Sequence, residues 1–94
     1  MDPIVETKRD AILHVAAAHG ARNVRVFGSA ARGETGPESD VDFLVDVGPD
    51  HSQFFPGGLV ADLEELLGRR VDVVTERALH WYIRRRVLGE AVPL

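Results

Sequence analysis

The most regular pattern of apolar and polar positions lies between residues 40 and 47. Apolar residues occupy every second position, which is typical of a β-strand with one face in a core. Acidic residues dominate the other parity. The apolar set is Val41, Phe43, Val45 and Val47, and the opposite set is Asp40, Asp42, Leu44 and Asp46. The pattern therefore predicts a strand at residues 40–47 that presents carboxylates on its second face.

The other elements follow from helical and strand-like periodicities along the rest of the chain. Apolar residues spaced at a period of 3.6 predict helices at residues 3–19, 59–67 and 76–88. Short β-rich runs predict strands at residues 22–27 and 70–75. We expect a single α+β domain over residues 1–94. It would have a small mixed sheet of three or four strands, with the helices packed mainly on one face and the acidic face left open.

Composition narrows the class of protein. The chain has 94 residues and 45% apolar content, which fits one globular domain with a modest core. It contains no cysteine, so a disulfide framework and a thiolate metal site are both excluded. No apolar run approaches the ~18 residues of a membrane span, and no signal-peptide pattern is present. We expect a cytoplasmic protein with no membrane partner. The net charge of −4 makes nucleic-acid binding an unfavourable interpretation.

Two features suggest chemistry. Asp40 and Asp42 are two residues apart on one strand, so their carboxylates project from the same side at roughly 6–7 Å between Cα atoms. Such a pair repels itself unless a divalent cation lies between the two groups. Ahead of it, Gly28 allows a tight turn and Ser29 can cap a short helix, so backbone N–H groups there suit a phosphate. Together the two features indicate a site for a metal–nucleoside triphosphate.

These residues resemble a known signature. Gly28-Ser29, Arg32-Gly33, Ser39-Asp40 and Asp42 match the motif G-S-x-x-R-G…S-D-x-D of the polymerase-β-like nucleotidyltransferases. More narrowly, the chain resembles the minimal nucleotidyltransferases, which are the small partners in two-gene toxin–antitoxin modules. The resemblance covers essentially the whole chain and implies the polymerase-β-like nucleotidyltransferase fold.

The resemblance also implies roles for individual residues. Asp40, Asp42 and a third acid, Asp72, would hold two Mg²⁺ ions and form the catalytic set. Gly28 and Ser29 would bind the nucleotide, with contributions from Arg32 and Ser39.

Three of these residues have a structural alternative. Asp72 could instead pair with Arg69 or Arg70 at a strand edge, Arg32 with Glu34, and Ser39 could steady the turn before Asp40.

The implied activity is an Mg²⁺-dependent transfer of AMP from ATP to a tyrosine of a HEPN-type toxin, with release of pyrophosphate. The chain would then be an antitoxin and a protein adenylyltransferase. Two alternatives remain: an antitoxin that neutralises its partner by binding alone, and a nucleotidyltransferase that acts on RNA or a small molecule.

Three apolar or basic features lie outside this motif. One phenylalanine of the Phe54-Phe55 pair is expected to cover the core edge, with a partner or nucleotide-base contact as the alternative. Trp81 and Tyr82 could pack on the first helix or form an interface. The arginine run at residues 84–86 could be a solvated face or meet an acidic partner.

Overall fold

A computed structural model describes residues 1–51 and 54–94 and shows a four-stranded mixed sheet. The strands are β1 (Ala21–Phe27), β2 (Val41–Val47), β3 (Val71–Thr75) and β4 (Val92–Pro93), in the spatial order β3-β2-β1-β4. β2 pairs in parallel with β3, whereas β1 pairs antiparallel with both β2 and β4. The prediction of a small mixed sheet is confirmed, and β2 is one of its two central strands.

Five α-helices connect and cover these strands in the described part of the chain. They are α1 (Pro3–Thr7), α2 (Arg9–Ala18), α3 (Gly28–Arg32), α4 (Gly57–Leu67) and α5 (Trp81–Glu90). A single turn of 3₁₀-helix at Glu76–Ala78 precedes α5. Ser52 and Gln53 lie outside the described residues. No helix in the described ranges has the length and apolar content needed to cross a membrane.

The predicted first helix is divided at Lys8. This residue has φ −98° and ψ 18°, and its Nζ donates a 2.7 Å hydrogen bond to the carbonyl oxygen of Leu66 in α4. Val5 is buried on the same face as Ile12 and Ala16, which lie seven and eleven positions further on, whereas Ile4 is 44% exposed.

One face of the sheet carries the main core, formed with α1, α2 and α4. The strands contribute the apolar positions that the alternation predicted, and the helices contribute one buried stripe each. Phe55 packs against this cluster, whereas Phe54 is exposed, so the prediction that one of them covers the core edge is confirmed. The buried cluster includes Val5, Ile12, Ala16, Val26, Val41, Phe43, Val45, Leu59, Leu63, Leu67, Val71 and Val73.

The opposite face holds a smaller cluster of Leu44, Leu79 and Val87. It brings α5 against the sheet on the side where Asp42 projects. The prediction that the helices lie mainly on one face is confirmed for α1, α2 and α4. It is wrong for α5, which lies on the opposite face. The boundaries of α5 also differ from the predicted 76–88, because the chain is extended at Leu79 and His80 caps a helix that continues to Glu90.

Candidate functional site

Asp42 and Asp72 lie side by side on neighbouring strands. They are paired residues in the parallel ladder between β2 and β3, where adjacent strands are about 4.8 Å apart. Asp42 is half-buried and Asp72 is exposed. Burial raises the pKa of the Asp42 carboxyl, and the negative charges of Asp72, Asp40 and Glu90 raise it further. The sheet register therefore holds two carboxylates together at an electrostatic cost.

Asp40 lies one residue before β2, and its side chain is oriented by an arginine. Its Oδ1 is 3.0 Å from Nε of Arg70, and the side chain is 54% exposed. Asp40 remains near enough to Asp42 to raise the pKa of that group. The alternative that sequence reasoning kept for Asp72, an ion pair with Arg69 or Arg70, is absent among the described residues. Arg70 binds Asp40 instead, and Arg69 binds Asp2.

Gly28 forms a turn that sits directly against Asp42. Its φ is +69°, and a Cβ atom added there would lie 2.8 Å from Oδ2 of Asp42. The positive φ favours glycine here, and a side chain at this position would also push against the Asp42 carboxylate. Phe27, the residue before the turn, is the ladder partner of Asp42, which fixes the position of the turn.

Ser29 lies in the first turn of α3, beside the acids. It was expected to cap this helix, but that prediction is wrong. The helix begins at Gly28, with Phe27 at the capping position and no side-chain cap.

Glu90 is a fourth carboxylate at this site, which the sequence pattern did not reveal. Its Oε1 accepts a 3.0 Å hydrogen bond from the Gly28 N–H, and its Oε2 accepts one of 3.3 Å from Nη1 of Arg32. The predicted helix ended at Leu88, which left Glu90 in the tail. Extending the helical spacing from Val87 by three positions would have placed Glu90 on the same inward face.

Arg32 lies between two acids. Its Nε donates to Oε1 of Glu34 at 3.2 Å, in addition to the contact with Glu90. The structural alternative for this residue is thus present in the structure. About half of the Arg32 side chain is exposed, so it can also reach a ligand placed over the Gly28 turn.

Ser39 holds the loop that leads into Asp40. Its Oγ accepts a 2.9 Å hydrogen bond from the Gly36 N–H, which closes a turn. Its carbonyl oxygen accepts from Nε and Nη2 of Arg69 at 3.1 and 2.9 Å. These contacts are those of a residue that positions the loop, with the Ser39 hydroxyl oxygen acting as an acceptor.

The Arg69 guanidinium links this loop to the N-terminal helix. Its Nη1 lies 2.6 Å from Oδ2 of Asp2, which also accepts a hydrogen bond from the Thr35 hydroxyl. Burial would raise the pKa of Asp2. Hydrogen bonds from Thr35, Arg69 and the backbone amides of Val5 and Ile4 outweigh that effect and lower the pKa to about 2. The loop before Asp40 is therefore tied to a buried ion pair that the sequence did not reveal.

A divalent cation fits the donor chemistry of this face. Carboxylate oxygens are the ligands that Mg²⁺ prefers, and the crowded negative charge around Asp42 is relieved when a cation binds. In the described ranges, no group of three acids or histidines is already arranged as a ligand cluster, and the Asp40 carboxylate is paired with Arg70.

Sequence comparison identifies the family. A profile described as a nucleotidyltransferase domain matches residues 13–94. The chain belongs to the nucleotidyltransferase family. Enzymes of this family generally use a divalent metal such as Mg²⁺, in agreement with the acids on the open face of the sheet.

Two relatives place this nucleotidyltransferase more closely. It is 40% identical over 89 residues, and 95% of each chain, to a protein of Methanocaldococcus jannaschii named as a candidate protein adenylyltransferase. It is 45% identical over 73 residues, 78% of this chain and 74% of the relative, to the protein adenylyltransferase MntA of Thermococcus cleftensis.

Solved structures agree with the fold. A candidate minimal nucleotidyltransferase matches with a TM-score of 0.85 and 46% identity over 100% of this chain and 97% of that chain. The crystal structure of a toxin–antitoxin with AMP-PNP matches with a TM-score of 0.75, over 89% of this chain and 69% of that chain. At 20% identity, this second likeness concerns the fold alone.

Proposed function

We propose that this nucleotidyltransferase is an antitoxin that transfers AMP from ATP to a tyrosine of a HEPN-type toxin, in the cytoplasm. The observation that carries the proposal is the Asp42–Asp72 pair across β2 and β3, with the Gly28 turn seated against Asp42. It is supported by the relatives, which are named as protein adenylyltransferases. The fold is also shared with a toxin–antitoxin structure that contains AMP-PNP.

Asp40, Asp42 and Asp72 are the residues that would hold two Mg²⁺ ions. When bound, these ions would neutralise the triphosphate and lower the pKa of the acceptor hydroxyl. The strand register puts Asp42 and Asp72 side by side, which supports this role. Asp40 joins them when its carboxylate turns away from Arg70, a movement that its exposed position permits.

The triphosphate would lie over the turn at Gly28. The Gly28 N–H, the Ser29 hydroxyl and the Arg32 guanidinium are the donors available on this side of the acids. Two of these donors are bound to Glu90, so the nucleotide must displace that carboxylate. Ser39 contributes by holding the loop before Asp40.

The chemical step is a displacement at the α-phosphorus. The tyrosine oxygen forms a bond to phosphorus as the bond to the pyrophosphate oxygen breaks, and the pair of products is AMP-tyrosine and pyrophosphate. We assign the exposed Asp72 carboxylate as the acceptor of the hydroxyl proton. Most of the rate acceleration would come from positioning and charge neutralisation.

The test compares two aspartates of the same strand. Asp42→Asn should reduce AMP transfer by a factor of about 10³ or more, because the half-buried ligand between Asp40 and Asp72 is lost. Asp46→Asn is the matched control, since Asp46 projects from the same face of β2 but binds Arg25 and Asn23. Each variant is co-expressed with the protein encoded by the adjacent gene, and that protein is then weighed by intact mass spectrometry.

We expect mass gains in multiples of AMP with the wild type and with Asp46→Asn, and none with Asp42→Asn. Cells should lose protection with Asp42→Asn alone. Full protection by Asp42→Asn, with no mass change in any sample, would instead identify an antitoxin that acts by binding. Transfer of AMP to RNA or to a small molecule, with the co-expressed protein unmodified, would instead identify a nucleotidyltransferase that acts on RNA or on a small molecule.

A further inference from the structure

The helix α5 has two faces with different tasks. Val87 is buried against the sheet, and Glu90, three positions on, reaches Gly28 and Arg32. The residues on the opposite side are all exposed, and we call them the α5 outward face. They are Trp81, Tyr82, Arg85, Arg86 and Leu88.

Large aromatic side chains form a continuous patch at the start of this face. Trp81 is 79% exposed and Tyr82 is 76% exposed. Their rings meet edge to face at 6.0 Å between centroids, and the His80 ring lies 5.7 Å from Trp81. Packing of these residues on the first helix was one of two expectations, but both side chains lie in solvent. Rings that pack on one another at the surface offer a rigid apolar contact area.

The charge of this segment is opposite to that of the molecule. Residues 77–89 contain four arginines and no acid, whereas the whole chain has a net charge of −4. Arg84 is paired with Glu76. Among the residues that the structure describes, Arg85 and Arg86 form no ion pair. An arginine pair beside exposed Trp and Tyr has the composition of a protein-binding hot spot, in which those three residue types are enriched.

We propose that the α5 outward face is the docking surface for the protein that receives AMP, which presents an apolar groove with an acidic rim. Trp81, Arg85 and Leu88 lie at i, i+4 and i+7, the spacing with which a helix binds in a groove. The proposal rests on the proposed function, because the docked protein is the acceptor. Ten helical residues span about 15 Å, so a protein on this face is held next to the Gly28 turn at the end of α5.

Two other occupants fit these observations less well. A second copy bound through a two-fold axis would face this segment with an identical one, which has four arginines and no acid, so the two like-charged patches would repel. A nucleic acid requires a broad basic surface, and this positive segment is confined to one short helix of an acidic chain.

The experiment measures binding to the purified product of the adjacent gene by calorimetry. Trp81→Ala and Arg85→Glu should each weaken binding by about 30-fold or more, the range of a hot-spot residue. The Arg85→Glu loss should shrink as salt increases. Phe54→Ala and Arg9→Glu are the controls, because Phe54 is 78% exposed ahead of α4 and Arg9 begins α2, both elements on the other face. These should bind within twofold of the wild type.

Several outcomes would overturn the docking surface. Equal partner binding by all four variants, or no partner binding by the wild type, would do so. A wild-type dimer that Trp81→Ala abolishes in sedimentation would do so as well. The last such outcome is binding of labelled single-stranded RNA by the wild type that is lost in Trp81→Ala and Arg85→Glu. Calorimetry of Mg²⁺–ATP with each variant separates this proposal from the proposed function. If Trp81→Ala and Arg85→Glu bind the nucleotide, transfer AMP and bind the partner as the wild type does, the docking surface alone is rejected. If the wild type does not bind the nucleotide, the proposed function is rejected.

Discussion

The two faces of the sheet differ in how much apolar surface they bury and in the charge they carry. The face under α1, α2 and α4 is closed by a continuous apolar cluster centred on Phe43 and Ile12. Among the described residues, the face under α5 has a small cluster of Leu44, Leu79 and Val87, and carboxylates project from the strands beside it. Apolar burial on the first face is the main source of folding free energy. The second face carries several negative charges close together, and their repulsion opposes folding.

This division allows one small sheet to serve two purposes. Strand alternation sends every second residue of β2 to each face, so the same seven residues anchor the core and carry Asp42. The crowded acids are tolerated because the stability is supplied on the other side. The apolar core that stabilises the fold and the acidic site of the proposed function therefore lie on opposite faces of the sheet. Substitutions on the two faces should have different consequences.

The largest effect should come from a matched pair of leucines. Leu63→Ala, in the main cluster, should lower the free energy of unfolding by about 3–4 kcal/mol, because a fully enclosed cavity is left behind. Leu79→Ala removes the same atoms from the sparse face, at a site open to solvent at one edge, and should cost about 1–2 kcal/mol. Guanidinium denaturation measures both values. Equal losses would show that the two faces contribute equally to folding.

The next effect concerns Asp2, which ties α1 to the loop before Asp40. Its pKa is lowered from 3.8 to about 2, so its contribution is complete above pH 3.8 and is lost as the pH falls to about 2. The loss should amount to about 2 kcal/mol of unfolding free energy. Denaturation between pH 5 and 2 tests this, with Asp2→Asn as the reference. A variant that follows the wild-type pH dependence would contradict the assignment.

Glu90 should oppose nucleotide binding. Its carboxylate binds the Gly28 N–H and Arg32, so a phosphate must displace it. Glu90→Gln keeps the size of the side chain and removes its charge. We expect Mg²⁺–ATP to bind about three- to tenfold more tightly, or about 1 kcal/mol. Calorimetry can measure this against Glu65→Gln, an exposed control on α4. Weaker binding by Glu90→Gln would mean that Glu90 positions the donors instead.

The smallest effect is a gain in stability at the site. Because the pKa of Asp42 is raised, its ionised form disfavours the folded state above that pKa, and the penalty disappears as the pH falls below 3.8. Asp42→Asn should therefore be slightly more stable than the wild type at pH 7 in the presence of a chelator. The difference should vanish in acid and reverse in sign when Mg²⁺ is added. A destabilised Asp42→Asn under chelator would contradict the crowding of charge.

The sequence predicted the features that depend on local spacing. Alternation in β2 located the acids, and a glycine at a strand end located the turn at Gly28. Residues that act through distant contacts were not predictable in this way. Glu90 meets Gly28 across 62 positions, Lys8 meets Leu66 across 58, and Arg69 meets Asp2 across 67. β4 has two residues, too short for a periodic pattern.

The pattern of apolar and polar residues also did not predict how individual side chains are oriented. The spacing placed Asp40 and Asp42 on one side of a strand, yet the strand begins at Val41, so Asp40 lies before the ladder and pairs with Arg70. Whether α5 covered the first or the second face depended on Leu79 and Val87 meeting Leu44, a contact that helical periodicity alone does not specify.

The pairing of Asp42 with Asp72 makes the gene sensitive to insertions and deletions in a position-dependent way. Removing one codon within residues 41–47 would move every later side chain of β2 to the other face, placing acids in the core and apolar residues in solvent. A codon lost from residues 49–51, between β2 and α4, leaves this alternation unchanged. A library of single-codon deletions should accordingly show an abrupt loss of folded protein at Val41 and its recovery just after Val47.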